Sequence, residues 1–426
     1  MGSRRSGTLS ITQMVPAPPS PSFESTVTAA APSVRVTNPR AAGAVLFLSF
    51  VDVFALLPTV APHVSALGAG AAGIGLAVGA YSALNLPANV VGGILVDRVG
   101  RRRVAIVGLV LAALTVAAYT LPTGIGAFIG VRALHGVAGG ILVPAVFAAA
   151  GDRAGVGQAG RSFGRFGALI GAAAVIAPAT AGAVRQVAGT DTVFLGVSAL
   201  LLLGAVIAAL GIHDRVPGAT TDAAPPQRPM RALLRQPTLR RALAATIVLT
   251  AAVGALAAFL PGTAEALGAS PSVVGGLFTA YAILAAGVML SPVSGRVDRV
   301  GADGNVAAGL AVLAVALGLL VVTGQLWVAV LGSALFGAGY GLVFPAVTAA
   351  TSLVSGTATR GRAFGLFNAA FSVGIALGPP TFGAVAQQVP LLDPLTLAAA
   401  LCLVAAGWIA ITHQLRPPAG PAAISP

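Results

Sequence analysis

GGILVDRVGRRR, residues 92–103, ends one apolar run and precedes another. Asp97 and the arginines Arg98, Arg101, Arg102 and Arg103 fall together, and hydrophobic sequence resumes at Val104. A short charged passage between long apolar runs is the pattern of a loop joining two membrane spans. Its core returns later: VDRVG occupies 96–100 and again 297–301, an offset of 201 residues.

Working outward, the composition agrees with that reading. The chain has 426 residues, of which 57% are hydrophobic and only 8% charged, against roughly a quarter charged in soluble domains. So few charges cannot cover the surface of a soluble fold of this size, so lipid must be the main solvent. The net charge is +13, and all 24 basic residues are arginine. The arginines punctuate apolar runs, which fits the orientation rule of membrane proteins and not a nucleic-acid surface. Cys402 is the single cysteine, so disulfides and Cys-rich metal or iron–sulfur sites are excluded.

Ser3-Arg4-Arg5 imitates a twin-arginine signal, and Met1-Gly2 with Ser6 imitates a myristoylation site. No hydrophobic stretch follows either, so residues 1–41 are expected to be a disordered cytoplasmic tail. Twelve spans of about 20 apolar residues follow: 42–62, 71–95, 103–121, 125–149, 163–184, 192–212, 240–261, 271–293, 304–322, 326–350, 364–385 and 392–412. The polar, Pro-rich segment 213–239 should link an N-terminal half, 42–212, to a C-terminal half, 240–412, with a cytoplasmic tail at 413–426. With both termini cytoplasmic, 22 of the 24 arginines fall on the cytoplasmic side, leaving Arg132 within span 4 and Arg185 outside.

The halves repeat. Residues 131–184 align without gaps on 332–385, with 21 identities in 54 positions. Twelve are Ala or Gly, but the set includes Pro144/Pro345, Arg161/Arg362, Phe166/Phe367 and Pro178/Pro379. Six spans per half give the copies the same orientation, so the repeat is parallel about the membrane normal.

These features resemble the major facilitator superfamily over residues 42–412. Gly93-Ile-Leu-Val-Asp97-Arg98-Val-Gly100-Arg101-Arg102-Arg103 is similar to the family's signature between spans 2 and 3. Arg132-Ala-Leu-His135-Gly136 is similar to its span 4 motif, where Gln is common in place of His135. Gly365, Gly374, Gly378, Pro379 and Gly383 resemble the span 5 motif of the exporter branch, but lie in span 11; span 5 keeps only Pro178 and Gly182, with Ala177 in a glycine position. The resemblance implies an all-α membrane protein of twelve transmembrane helices in two six-helix parallel repeats. It further implies a drug or metabolite:proton antiporter, working without a cofactor as a monomer. It also implies a latch in which Asp97 meets the start of span 11 near Arg362, with Asp152 as partner for Arg101. The copy at Asp298 and Arg299 should be weaker, because no arginine cluster follows it.

Rival motifs fail. GAGAAG at 68–73 matches a dinucleotide fingerprint but has no βαβ surroundings. No Walker sequence, HExxH or nucleophile elbow with partners occurs, so ATP hydrolysis and metal catalysis are not expected.

Asp52 lies in the middle of span 1, where a carboxylate costs about 2.5–3.5 kcal/mol. It should face a cavity and be paired or protonated. Arg132 is the cation at comparable depth, so the pair is read as proton-coupling, against the plainer reading of a static ion pair between spans 1 and 4. His135, one turn from Arg132, is read as a hydrogen-bonded packing residue that can also border the cavity. His63 and Glu265 are expected to be solvated loop groups. The cavity should take Phe50, Phe54, Tyr81, Asn85, Tyr281, Tyr340, Asn368, Phe371 and Ser372, aromatic walls with few amides. That suits a small amphipathic compound better than a sugar. Gly136, Gly140, Gly365, Gly374, Gly378 and Pro379 should pack helices closely and permit kinks. The expected function is proton-coupled efflux by alternating access. A metabolite importer or facilitator is the alternative of the same fold, and a non-transporting membrane sensor or scaffold the alternative of another class.

Overall fold

The computed structural model describes residues 37–151, 159–214, 230–292, 297–322, 324–353 and 359–414. Among the described residues the chain is helical, without strands. Eleven helices are long and apolar enough to cross a membrane, and a bent pair supplies a twelfth span.

That pair is α1 (Pro39–Ala55) and α2 (Val60–Ala66), inclined at 40°. It supplies the span expected over 42–62, with a bend inside it. Pro58 has no N–H to donate, so the ladder gives way to turns from Leu57 to Phe54 and from Thr59 to Leu56. The N-terminal half continues with α3 (Ala71–Val99), α4 (Arg101–Ala117) and a short 3-10 turn at Ala118–Thr120. It closes with α5 (Ile125–Gly151), α6 (Ala159–Ala188) and α7 (Thr190–Gly211). The five-residue α8 (Met230–Leu234) lies in the connection between the halves. The C-terminal half comprises α9 (Pro237–Ala266), α10 (Pro271–Leu290), α11 (Val297–Val322), α12 (Leu326–Leu353), α13 (Arg360–Gln388) and α14 (Pro394–Gln414).

Each half encloses its own apolar core. Lipid offers no hydrophobic drive for helices to associate, so close packing at small residues does that work. Gly136 and Gly140 of α5 meet the backbone of α3 at Tyr81 and Asn85, and Gly337 and Gly341 of α12 meet α10 at Tyr281 and Ala285 in the same way.

The opening motif is a helix break. α3 ends at Val99 because Gly100 takes φ 95°, and α4 starts at the next residue. Three arginines at a helix N-terminus oppose its dipole. Asp214, just beyond α7, compensates: its carboxylate accepts the Arg102 N–H at 2.9 Å. Arg102 also donates to the Ala209 carbonyl of α7, which ties the loop to the end of the half. In the second copy Gly301 takes φ 79°; the side chains of Asp298 and Arg299 lie outside the described residues, as does Asp152.

Where the halves meet, α3 packs on α13 and α6 on α10. A Cβ at Gly75 would collide with the Pro379 carbonyl, and one at Gly275 with the Pro178 carbonyl. The two seams are therefore copies of one contact. Both lie at the end of the bundle opposite the arginine-rich loops. Gly79 against Ala376, and Gly383 against Ala71, extend the first seam; Gly182 against Pro271 extends the second. Arg185 of α6 pairs with Glu265 of α9 at 2.7 Å on the same side. Glu265, expected as a solvated loop residue, is thus a tie between the halves.

At the arginine-rich end the α3 and α13 ends stand apart. Gly93, Gly361 and Gly365 have nothing within 4 Å of an added Cβ. Asp97 and Arg98 are exposed, and Asp97 makes no hydrogen bond or ion pair among the described residues. The expected meeting of Asp97 with Arg362 is therefore not formed in this conformation, because the seam is closed at the opposite end only. Gly365, expected as a packing glycine, likewise faces open space, whereas Gly374 and Gly378 press on Thr250 and Ala251 of α9.

Candidate functional site

A cavity of about 350 Å³ lies between the halves. It begins where the seam stops: Val78 and Ile375 line it, beside the Gly79–Ala376 contact. From there it runs toward the arginine-rich end as far as Asn89 of α3 and Phe367 of α13. At 1.5 Å per helical residue, Val78 to Asn89 is about 16 Å.

Asp52 of α1 is 3% exposed and lines this cavity. Its Oδ2 lies 3.0 Å from Nε2 of His135 on α5. Nδ1 of His135 lies 2.7 Å from the Tyr119 hydroxyl, which also accepts from Arg132 Nη1 at 2.9 Å. His135 thus bridges the Asp52 carboxylate and the Tyr119 hydroxyl. The Arg132 guanidinium rests on the Tyr81 ring, 4.9 Å from its centroid. Tyr119, fully buried, is clamped between Phe128 and Phe194. The arrangement is a relay from Asp52 through His135 and Tyr119 to Arg132, not the direct Asp52–Arg132 pair considered from sequence.

Two polar atoms of this cluster remain without a hydrogen-bond partner, Oδ1 of Asp52 and Nε of Arg132. Asn85 donates to the Gly136 carbonyl at 3.3 Å and accepts from Asn89 at 2.9 Å. Seven of the expected wall residues border the cavity together: Phe50, Tyr81, Asn85, His135, Asn368, Phe371 and Ser372. Phe54 does not; it lies beside Phe50, 6.2 Å between ring centroids. Tyr281 and Tyr340 turn away because they pack edge-on against each other at 5.7 Å, with Tyr281 also against Phe336.

Sequence reading missed Phe344 and Phe367, which form the aromatic wall of the second half with ring centroids 6.1 Å apart. Tyr119 was missed too. It sits at the end of an apolar run with no local signal of its function; only its depth opposite His135 reveals it. Asn89, four residues from Asn85 on one helical face, was legible by spacing.

The profile of the Major Facilitator Superfamily matches residues 42–261 and again 242–426. The chain belongs to the Major Facilitator Superfamily. It is therefore a multi-pass membrane transporter for small molecules and not an enzyme. This superfamily member is similar to the quinolone resistance protein NorA of Staphylococcus aureus, with 23% identity over 372 residues, 87% of this chain and 95% of that one. It is also similar to multidrug resistance protein 2 of Bacillus subtilis, 26% identical over 161 residues, 38% of this chain and 40% of that one. Among solved structures, it shares the fold of a bacterial homologue of the lysosomal transporter Spinster in an inward-facing, occupied conformation. That likeness has a TM-score of 0.72 at 14% identity and covers 89% of this chain and 98% of that one. A peptide transporter POT structure gives the same TM-score at 16% identity, over 88% of this chain and 94% of that one. At such identities the structural likeness speaks for the fold alone.

Proposed function

We propose that this transporter exports a small amphipathic compound in exchange for protons. The observation that carries the reading is Asp52: a carboxylate in the central cavity, held on one oxygen by His135 and free on the other. A proton can occupy Oδ1 without breaking the His135 bond. A substrate donor at the same oxygen would exclude that proton, and such exclusion is what obligatory exchange requires. The aromatic wall of Phe344, Phe367 and Phe371 suits an apolar body, and the similarity to proteins named for quinolone and multidrug resistance favours export over import.

The arginine distribution supports cytoplasmic termini. In that orientation the cavity faces the cytoplasm, where an exporter loads, and the sealed seams face outward. Asp97 and Arg362 are then proposed to meet when the outer seams open, with Gly93, Gly100 and the Arg101–Asp152 pair framing the contact and Asp298–Arg299 as its weaker counterpart.

The experiment is transport in liposomes under an imposed pH gradient, beside everted vesicles with and without an uncoupler. The parent should concentrate substrate and Asp52→Asn should only equilibrate it. Accumulation by Asp52→Asn equal to the parent would remove the proton role. Uncoupler-insensitive equilibration by the parent would favour a facilitator.

A further inference from the structure

The α3–α13 seam has a second hollow beside it, apart from the transport cavity. A groove of about 390 Å³ runs along the Gly75–Pro379 contact, between Ala72 and Leu76 of α3 and Thr381, Ala384, Val385 and Gln388 of α13. The four α13 residues recur at i, i+3, i+4 and i+7, so they form one stripe along the helix. Seven residues at 1.5 Å put Thr381 and Gln388 about 10 Å apart, with Gln388 ending α13 at the sealed end. Leu76 is 48% exposed, and Thr381 and Gln388 are exposed too. The groove therefore opens outward from the bundle, and none of its residues lines the transport cavity. Both helices are membrane spans, so the solvent that meets this face is lipid.

The polar groups of the groove are uncommitted. Neither the Thr381 hydroxyl nor the Gln388 amide makes a hydrogen bond among the described residues. Hydrocarbon supplies no acceptor, so a molecule that brings oxygen atoms to these donors is favoured over a bare chain. The copy of this surface at the α6–α10 seam is built differently. Thr180, the counterpart of Thr381, bonds the carbonyls of Ile176 and Ala177 in its own helix, each at 3.0 Å. Gln388 corresponds to Val187 at the offset of 201, and Leu76 to Gly276 at 200. The second seam thus lacks the free hydroxyl, the amide at the rim and the leucine wall. A rim amide, a second donor two turns deeper and apolar surface beside them match an amphiphile. Its oxygens would meet the donors, and its chain would pack against Leu76 and Val385.

We propose that this groove binds a phospholipid from the leaflet at the sealed end, with its phosphate and ester oxygens at Gln388 and Thr381 and one acyl chain along Leu76 and Val385. One wall belongs to each half, so the site is complete only while this seam is closed. A lipid bound there holds the transporter in that state, because it has no equal site in the other. This state dependence rests on the reading of the seams as surfaces that open during transport; occupancy of the groove does not.

The test adds palmitoyl-oleoyl phosphatidylcholine to the full chain in detergent micelles. Native mass spectrometry reads retention of the lipid. Spin labels at Ser65 and Leu391, exposed at the sealed end of opposite halves, read the closed fraction in a Cys402→Ala background. The parent should retain a phosphatidylcholine molecule. At about ten times the dissociation constant, its ratio of closed to open should rise about tenfold. Ala384→Phe fills the groove, and Thr381→Val with Gln388→Leu removes both donors at similar volume. Each should release the lipid at lower detergent concentration and lose the population response, and the second keeps the test open if the first fails to fold. Equal retention by parent and variants, a parent population unmoved by the lipid, or an equal response to n-dodecane, a chain without oxygen, overturns the proposal. Loss of retention leaves alternating access untouched, since Gly75→Ala tests the seam without lipid. A seam that fails to open in Gly75→Ala leaves the retention result to stand by itself.

Discussion

Gly75→Ala should shift the balance between the two faces of the transporter. In the conformation described, the added methyl meets the Pro379 carbonyl and the Pro380 nitrogen, which are backbone atoms that no rotamer change can move. Inserting a methyl into a packed contact costs about 1–3 kcal/mol. Alanine also favours helix over glycine by about 1 kcal/mol, but α3 is helical whichever end is sealed, so that gain cancels from the equilibrium. The clash acts only on the state with this seam closed, so the closed fraction should fall about 5- to 150-fold relative to the open one. The assay is pulsed dipolar spectroscopy in a Cys402→Ala background, with spin labels at Ser65 and Leu391, which are exposed at the sealed end of opposite halves. The distance distribution should gain a longer component. Gly275→Ala, the symmetric contact against Pro178, should do the same. Gly276→Ala, which meets nothing within 4 Å, should leave the distribution alone. An unchanged distribution in Gly75→Ala and Gly275→Ala, with both proteins folded, would refute the assignment of these seams as the closing surface.

Three further outcomes follow from the same contacts. Glu265→Gln or Arg185→Gln breaks the tie across the sealed end; with side chains 14% and 32% exposed, its loss is worth at most about 1 kcal/mol, a few-fold shift in the same spectroscopic populations that the double swap Arg185→Glu, Glu265→Arg should restore. Gly139→Ala puts a methyl where the Tyr81 hydroxyl lies; the displaced ring loses its place under Arg132, and the dissociation constant for substrate should rise several-fold with thermal stability nearly unchanged. Asp214→Ala removes the acceptor at the start of α4 and should cost about 1 kcal/mol in denaturant or thermal unfolding, whereas Asp214→Asn, which can still accept the Arg102 N–H, should cost less.

Local chemistry set what could be read in advance. Span positions, the repeat and the grouping of Asp52, Arg132 and His135 follow from hydropathy, from an offset of 201 and from the depth of polar residues in apolar runs, all properties of contiguous sequence. The bend at Pro58 was legible in LLPTVAP, but a run of suitable length masked it. The Arg185–Glu265 tie was not legible, because 80 residues separate its members and only the packing of α6 on α10 brings them together. Asp214 looked like one polar residue in a polar linker, yet its position relative to α4 depends on the fold of the whole half. The gap between Asp97 and Arg362 has another origin: a contact made in one conformation of an alternating structure is written in the sequence but absent from the other conformation.

The pseudo-symmetry also explains why the chemistry is one-sided. Carried across the offset of 201, Tyr119 becomes Leu320, Arg132 becomes Ser333 and His135 becomes Phe336, while Asp52, in the part of the half that repeats at an offset of 200 as Gly75/Gly275 and Tyr81/Tyr281 do, becomes Ala252. Ala252, Leu320 and Phe336 are all buried in the core of the second half. The second half thus keeps the backbone of the first with its ionisable cluster replaced by apolar packing, apart from a buried serine. A second carboxylate at equivalent depth would cost another roughly 2.5–3.5 kcal/mol and would need its own donors. Concentrating the charges has a mechanical consequence as well. Asp52, His135, Tyr119 and Arg132 all belong to the first half, so a rocking motion of the halves carries them as one body and breaks none of their hydrogen bonds. The contacts that must break are at the seams, Gly75 on Pro379, Gly275 on Pro178 and Arg185 on Glu265. Substitutions in the cluster should therefore alter coupling while the populations of the two states stay fixed, and substitutions at the seams should move the populations while the proton stoichiometry stays fixed.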